Sequence, residues 1–190
     1  AAAAAAAVLR CGGLVAVPTD TIYGLAACAT DAAAVGALYA AKGRDPRTPV
    51  ALCVGDVPSV AAYASAGHLP PGLLGALLPG PVTVVLDRVP GALPEGLNPH
   101  AGGTVGVRVP DAAFVRGVAR ALGAPLALTS ANRTGEPSTL AVEEFEHLWP
   151  ALDAVFDAGR LPSGRAGSTI VDLTEAGWFR VVRAGEAREE

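Results

Sequence analysis

The 190-residue chain has no methionine, one lysine, three cysteines and three histidines, and only 5% of its residues are aromatic. Each scarcity excludes something. Cys11, Cys28 and Cys53 are odd in number and lack CxxC spacing, which argues against a disulfide framework and a structural zinc site. Their apolar neighbours make them buried, reduced thiols, and a reducing compartment follows. His68, His100 and His147 have no metal-ligand spacing and read as surface side chains. The chain has no GxxxxGK[ST] run, so nucleotide binding of the P-loop type is excluded, and no GxSxG elbow. No apolar run approaches the ~18 residues of a membrane span. A net charge of −4 argues against a protein whose main task is to grip a nucleic-acid backbone.

What remains is a chain with 51% apolar residues, 23 glycines and 16 prolines. Its length suits one domain that buries roughly 70% of its unfolded surface without a metal or disulfide. A GC-rich coding bias accounts for the Ala, Gly, Pro and Arg content. Lys42, the only lysine, stands against that bias. The first seven residues are alanine and begin without Met. They read as a fragment boundary or a low-complexity lead-in to a helix, and residues 1–10 are set apart from the domain over 11–185. Residues 186–190 read as an acidic, solvated tail.

Strand and helix patterns interleave. The run 13–17 predicts a buried strand, and Thr30-Asp31 predicts the cap of a helix through Ala41. Strands are expected over 49–54, 82–86, 104–109 and 125–128. Helices are expected after Asp56, over 73–78, 111–122 and 142–148. Three short strands follow around 154–156, 169–173 and 178–182, the first two separated by the loop 159–168. The pattern predicts an α/β single domain with a mixed parallel/antiparallel sheet, not a strict βαβ repeat.

The first strand runs into Pro18-Thr19-Asp20-Thr21-Ile22-Tyr23-Gly24-Leu25. Burying such groups without partners costs roughly 1–3 kcal/mol each. The run therefore requires either an internal hydrogen-bond network or a polar ligand. Thr129-Ser130-Ala131-Asn132 repeats the pattern at a second strand end, where ligands of open α/β sheets gather. Lys42-Gly43-Arg44 ends a helix, where a cation is favourable in itself; a point charge, a glycine and a guanidinium also suit a phosphate clamp. Arg108 suits capture of a carboxylate or phosphate, or a salt bridge to Asp20 or Asp111. Gly164 to Thr169 is either an anion-binding nest or a surface loop. Arg183 is either a ligand contact or a solvent-facing charge. No nucleophile–base pair stands out, which leaves chemistry by positioning and charge stabilisation.

In order, these residues resemble the YrdC family of threonylcarbamoyl-adenylate synthases. The matching pieces are Pro18 to Leu25, Lys42-Gly43-Arg44, Leu78-Pro79-Gly80-Pro81-Val82-Thr83, Val107-Arg108-Val109-Pro110, Ser130-Ala131-Asn132, Gly167 to Asp172 and Arg183-Ala184-Gly185. The runs 126–132 and 142–145 look most like animal members. The resemblance implies a twisted mixed sheet flanked by helices with a large concave ligand face. It also implies a reaction: L-threonine, bicarbonate (or CO2) and ATP give threonylcarbamoyl-AMP and pyrophosphate, so the chain would be a nucleotidyltransferase. A tRNA threonylcarbamoyltransferase, of KEOPS type or a mitochondrial counterpart, would take the product to an adenosine of tRNAs that read codons starting with A.

By the same resemblance, Thr21, Arg108, the Leu128 backbone and Ser168 would hold threonine. Lys42, Arg44, Thr48, Thr104, Ser130, Asn132, Ser138 and Arg183 would hold ATP, with Lys42 and Arg44 catalytic. Mg2+ would ride on the ATP phosphates, with no protein metal site. Weak tRNA binding and no membrane span are expected. The location expected is cytoplasmic, with a mitochondrial pool if a targeting segment precedes the chain. Two features depart from the family: Asp45 beside the clamp puts the role of Thr48 in question, and Cys53 stands where some members place a histidine. Any lid would come from the loop 159–168 or the N-terminus. The competing readings are a non-catalytic module for tRNA or double-stranded RNA, and a subunit that binds ATP without turnover.

Overall fold

A computed structural model describes residues 1–43, 45 and 47–187. The chain opens with helix α1 (Ala2–Arg10) and the hairpin of β1 (Val15–Pro18) and β2 (Tyr23–Cys28). Helix α2 (Ala32–Lys42) leads to β3 (Ala51–Cys53), β4 (Ala64–Ser65), α3 (Leu73–Leu77) and β5 (Val82–Arg88). Then come β6 (Thr104–Arg108), α4 (Ala113–Leu122), β7 (Leu126–Ser130), β8 (Ala154–Val155), β9 (Thr169–Asp172) and β10 (Arg180–Arg183). The strands form one sheet in the order β10-β9-β5-β6-β3-β7-β2-β1-β8, with β4 paired to β5. Three pairs are parallel, β1 with β8, β3 with β6 and β5 with β9. The fold is therefore the expected α/β domain with a mixed sheet.

Local chemistry explains the element ends. Asp31 accepts hydrogen bonds from the Ala33 and Ala34 amides and starts α2. Gly43, at φ 57°, ends it in the left-handed conformation that glycine adopts without strain. Gly123, at φ 74°, ends α4 in the same way.

Alternation along the strands sends side chains to opposite faces of the sheet. One face, with Leu25, Leu52, Val84, Val107 and Ala127, packs on Leu38 of α2 and on Phe145. The other face is divided. Val15, Val17, Ala26, Cys53 and Leu126 pack against Ala5 and Leu9 of α1 and Val115 and Val118 of α4. Further along that face, over β5, β6, β9 and β10, the side chains line an open cavity.

Four expectations change. The alanine lead-in is α1 itself, folded into the same body, with Ala5 and Leu9 buried. Alanine allows that close approach: a Cβ on Gly117 of α4 would sit 3.4 Å from the Ala2 Cβ. Strand β2 was unexpected, because all six of its residues are buried and no polar alternation marks it. The helices expected after Asp56 and over 142–148 are 3-10 segments, Pro58–Ala62 and Val142–Ala151. The second is kinked at Phe145 and contains Pro150, which has no N–H to donate. Finally, Cys11 is exposed just past α1, while Cys28 and Cys53 are buried as expected.

Candidate active site

The run after β1 is a tight polar turn into β2. The Thr19 hydroxyl donates to the Ile22 carbonyl (2.7 Å) and accepts from the Thr21 and Ile22 amides (3.2 Å each). The Tyr23 hydroxyl donates to the Gly159 carbonyl (2.7 Å) and accepts from the Ala158 amide (2.9 Å). Burial pushes the Tyr23 phenol pKa up. The internal network thus satisfies the Thr19 and Tyr23 hydroxyls, and both residues also border the open cavity of the sheet face. Asp20 bridges two segments: one oxygen takes Arg108 at 2.6 Å and the other accepts from the Asp111 amide at 2.8 Å.

Neighbouring strands place four residues on nearly one row. Thr83 pairs with Ile170, and Ile170 with Arg183. Continuing the β5–β6 register by one position sets Thr83 beside Arg108. The row borders a cavity of about 160 Å³ that is also lined by Gly24, Ala51, Leu128, Ser130, Ser138 and Ser168. Thr83 and Ser168 share a 2.7 Å hydrogen bond at its floor.

Two guanidiniums line this cavity. Arg108 is buried, with its terminal nitrogen on Asp20 and 3.4 Å from the Thr21 hydroxyl. Its Nε is buried without a hydrogen-bond partner. Arg183 donates to the Ser168 carbonyl at 2.7 Å. Burial, with the Arg108 charge second, pulls the Arg183 pKa down. Glycine makes room: a Cβ on Gly167 would lie 2.9 Å from the Arg183 guanidinium. Arg108 makes the salt bridge to Asp20 and also lines the cavity.

Lys42 reaches the same strand end from behind. Its ammonium is buried and donates to the backbone carbonyls of Ser130 and Asn132 and to Asn132 Oδ1 at 2.9 Å. Gly43 caps the helix, so Lys42 is no helix terminator; it ties α2 to Ser130-Ala131-Asn132. Asn132 in turn donates to the Glu136 carbonyl at 2.6 Å. Lys42 and Asn132 therefore stand behind Ser130 and do not line the cavity.

Of the residues marked in the sequence, Arg108, Leu128, Ser130, Ser138, Ser168 and Arg183 line the cavity, and Thr21 touches it through Arg108. Thr104 does not reach it. It begins β6 four residues before Arg108, and its hydroxyl donates to the Ala101 carbonyl at 2.7 Å. Thr48 is exposed and its amide donates to the Asp45 carbonyl at 2.8 Å. Asp45 is paired with Arg47 at 2.5 Å, which holds its carboxyl down at about 2. Arg44 lies outside the described residues. Cys53 faces the apolar core beneath α4, where burial pushes its thiol up to about 12.

The loop 159–168 is anchored. Ser163 donates to the Thr21 carbonyl. Arg165, at φ 68°, donates to the Ser138 carbonyl (2.8 Å) and grips both Glu144 oxygens (2.6 and 2.8 Å). Sequence reasoning marked no role for Thr83, Ala51 or Ile170. The signals available were a hydroxyl in the otherwise apolar run Val82-Thr83-Val84-Val85-Leu86 and the presence of Thr83 and Ile170 in two of the family-matching runs. Among the described residues, no group of three or more His, Cys, Asp or Glu could hold a metal. No helix among them is long and apolar enough to cross a membrane.

A family model for Sua5, YciO and YrdC proteins, described as "Telomere recombination", matches residues 7–185. Threonylcarbamoyl-AMP synthase of Bos taurus is 48% identical over 98% of this chain and 68% of its own length. The Homo sapiens protein of that name is 48% identical, with 67% of its length covered. A solved structure of P. abyssi Sua5 complexed with L-threonine superposes with a TM-score of 0.87 at 30% identity, over 97% of this chain. The chain spans only 54% of that Sua5. E. coli YciO superposes with a TM-score of 0.86 at 25% identity, over 97% of this chain and 88% of its own. Sequence and fold agree along nearly the whole length, and the chain belongs to the Sua5/YciO/YrdC family.

Proposed function

We propose that this chain is an L-threonylcarbamoyladenylate synthase, a nucleotidyltransferase acting on L-threonine, bicarbonate or CO2, and ATP. The observation that carries the reading is the pair of guanidiniums on one cavity, Arg108 at one end of the row and Arg183 at the other. A part-buried cation without a counter-charge among the described residues and a second guanidinium on the same cavity suit an anionic ligand. The relatives' names supply the chemistry, and the threonine named in the Sua5 complex suits a carboxylate on Arg108.

In this reading Arg108 orients the threonine carboxylate, with Thr21 and the Thr83–Ser168 hydroxyl pair beside it. The amine attacks CO2 and loses a proton, giving a carbamate. A carbamate oxygen then attacks the α-phosphorus of ATP, and the bond to pyrophosphate breaks. Arg183, Ser130 and Ser138 stand on the phosphate side, with Lys42 and Asn132 fixing the strand end behind them and Arg44 as a further cation. Mg2+ enters as part of the substrate, on the ATP phosphates, and offsets charge there. Charge stabilisation and alignment suffice; no covalent nucleophile is needed. The product would pass to a tRNA threonylcarbamoyltransferase, in the cytoplasm or, behind a targeting segment, in mitochondria.

The test follows pyrophosphate release with ATP while threonine and bicarbonate are varied independently. Release that requires both supports the synthase. Release that ignores either one contradicts it. Tight, salt-sensitive tRNA binding without ATP turnover would instead identify an RNA-binding module.

A further inference from the structure

The cavity holds two guanidiniums, but only one has a counter-charge. Arg108 carries Asp20 at 2.6 Å, and both side chains are more than nine-tenths buried. Asp20 cannot swing away freely, because its second oxygen accepts from the Asp111 amide at 2.8 Å. Arg183 donates only to the neutral Ser168 carbonyl, and among the described residues no carboxylate pairs with it. The row Arg108-Thr83-Ile170-Arg183 therefore runs from a charge-neutral end to a cationic end.

We infer that Asp20 is a specificity-determining residue: its charge keeps phosphate off Arg108 and reserves that end of the cavity for a carboxylate. The inference deepens the synthase reading and rests on it for the identity of the carboxylate. A monoanion meets a net-neutral pair and is held by the directional donors that line the cavity, Arg108 and the Thr83–Ser168 hydroxyl pair. A phosphate dianion would meet the same donors with the Asp20 charge close by. Like charges within a few ångströms in a part-buried site repel far more strongly than in water. A polyphosphate has no such obstacle at Arg183. Two anionic substrates are thereby sorted to opposite ends, and neither inhibits by occupying the other's place.

The experiment titrates inorganic phosphate and L-threonine into the wild-type protein, Asp20→Asn, Asp20→Ser and Asp20→Asn/Arg108→Gln, with folding checked by circular dichroism. Asp20→Asn removes the charge and keeps one acceptor oxygen, enough for Arg108 or for the Asp111 amide but not for both, and Asp20→Ser removes the charge without placing an amide donor against either. In the wild type, phosphate should compete with ATP and leave the apparent threonine affinity unchanged. In the single variants, phosphate should bind about tenfold more tightly and compete with threonine. The gain should vanish when Arg108 is also replaced. Unchanged phosphate affinity in a folded single variant would overturn the inference, as would a gain that survives loss of Arg108. The wild-type arm decides even if no variant folds: phosphate competing there with threonine as well as with ATP overturns it. A wild type that binds no threonine would sink the synthase reading, while phosphate binding by the variants would still decide the role of Asp20.

Discussion

Two stretches of one sheet face have the same backbone and opposite fates. Under α1 and α4 the outward residues are Val15, Val17, Ala26, Cys53 and Leu126, and two helices close over them. Over β5, β6, β9 and β10 the outward residues include Thr83, Arg108 and Arg183, and the face stays open as a cavity. The pleat is common to both stretches. The difference lies in what the side chains gain from cover. Apolar surface gains about 25 cal/mol per Å² on leaving water. Guanidiniums and hydroxyls lose by it unless something polar takes the water's place. The covered half supplies stability, and the open half keeps unmet hydrogen-bonding capacity for a ligand.

Substitutions should divide along the same line. The largest effect is expected in the covered half. Leu126→Ala should cost about 2–5 kcal/mol of folding free energy in denaturant titrations, with normal turnover per folded molecule. A comparable turnover defect in the folded fraction would break the comparison. Next is Arg183→Ala in the open half. It should lower kcat/KM for ATP about 10- to 100-fold, as expected for losing a charge-assisted hydrogen bond. Stability should barely move, and equal losses for threonine affinity would erase the distinction between the two ends of the cavity. Ser168→Ala removes one partner of the Thr83 hydroxyl. It should weaken threonine binding about fivefold, near 1 kcal/mol, measured by calorimetry.

The smallest effect concerns the loop beside the cavity. Arg165, gripping Glu144, holds that carboxyl down at about 2, below its ordinary value of 4.5. A depressed carboxylate stabilises the fold fully above its unfolded value and loses that contribution as pH falls through its folded one. The stability gap between the wild type and Glu144→Gln should thus be level above about pH 5 and shrink between about 4.5 and 2. Both side chains are partly exposed, so the gap should be at most about 1 kcal/mol. A gap that widens on acidification would contradict the pairing.

Much of this division was legible in the sequence, for a physical reason. A buried strand that ends in hydroxyls and a carboxylate breaks the pattern of its surroundings, and so does an arginine between core valines. Those violations marked Thr21, Arg108 and Ser130, while Ser168 was marked by the glycine-rich run before β9 and by the family resemblance. Strand β2 was invisible because burial on both faces removes alternation. The seven alanines looked featureless because their role, close packing on α4, needs only small size. Thr83 ended a family-matching run but received no site role, because that role depends on register with Arg108 and Ile170, which no local pattern encodes. The sequence also left open whether the polar turn served a network or a ligand. The structure shows both: Thr19 and Tyr23 are satisfied within the network and also line the cavity, and Asp20 meets the cavity through Arg108.

The central claim is that the open half of this face takes a carboxylate on Arg108. Calorimetric titration of the wild-type protein with L-threonine and with L-threoninol, in which an alcohol replaces the carboxylate, tests it most directly. Saturable binding of threonine with no measurable binding of threoninol is the predicted result. Equal affinity for the two would contradict it.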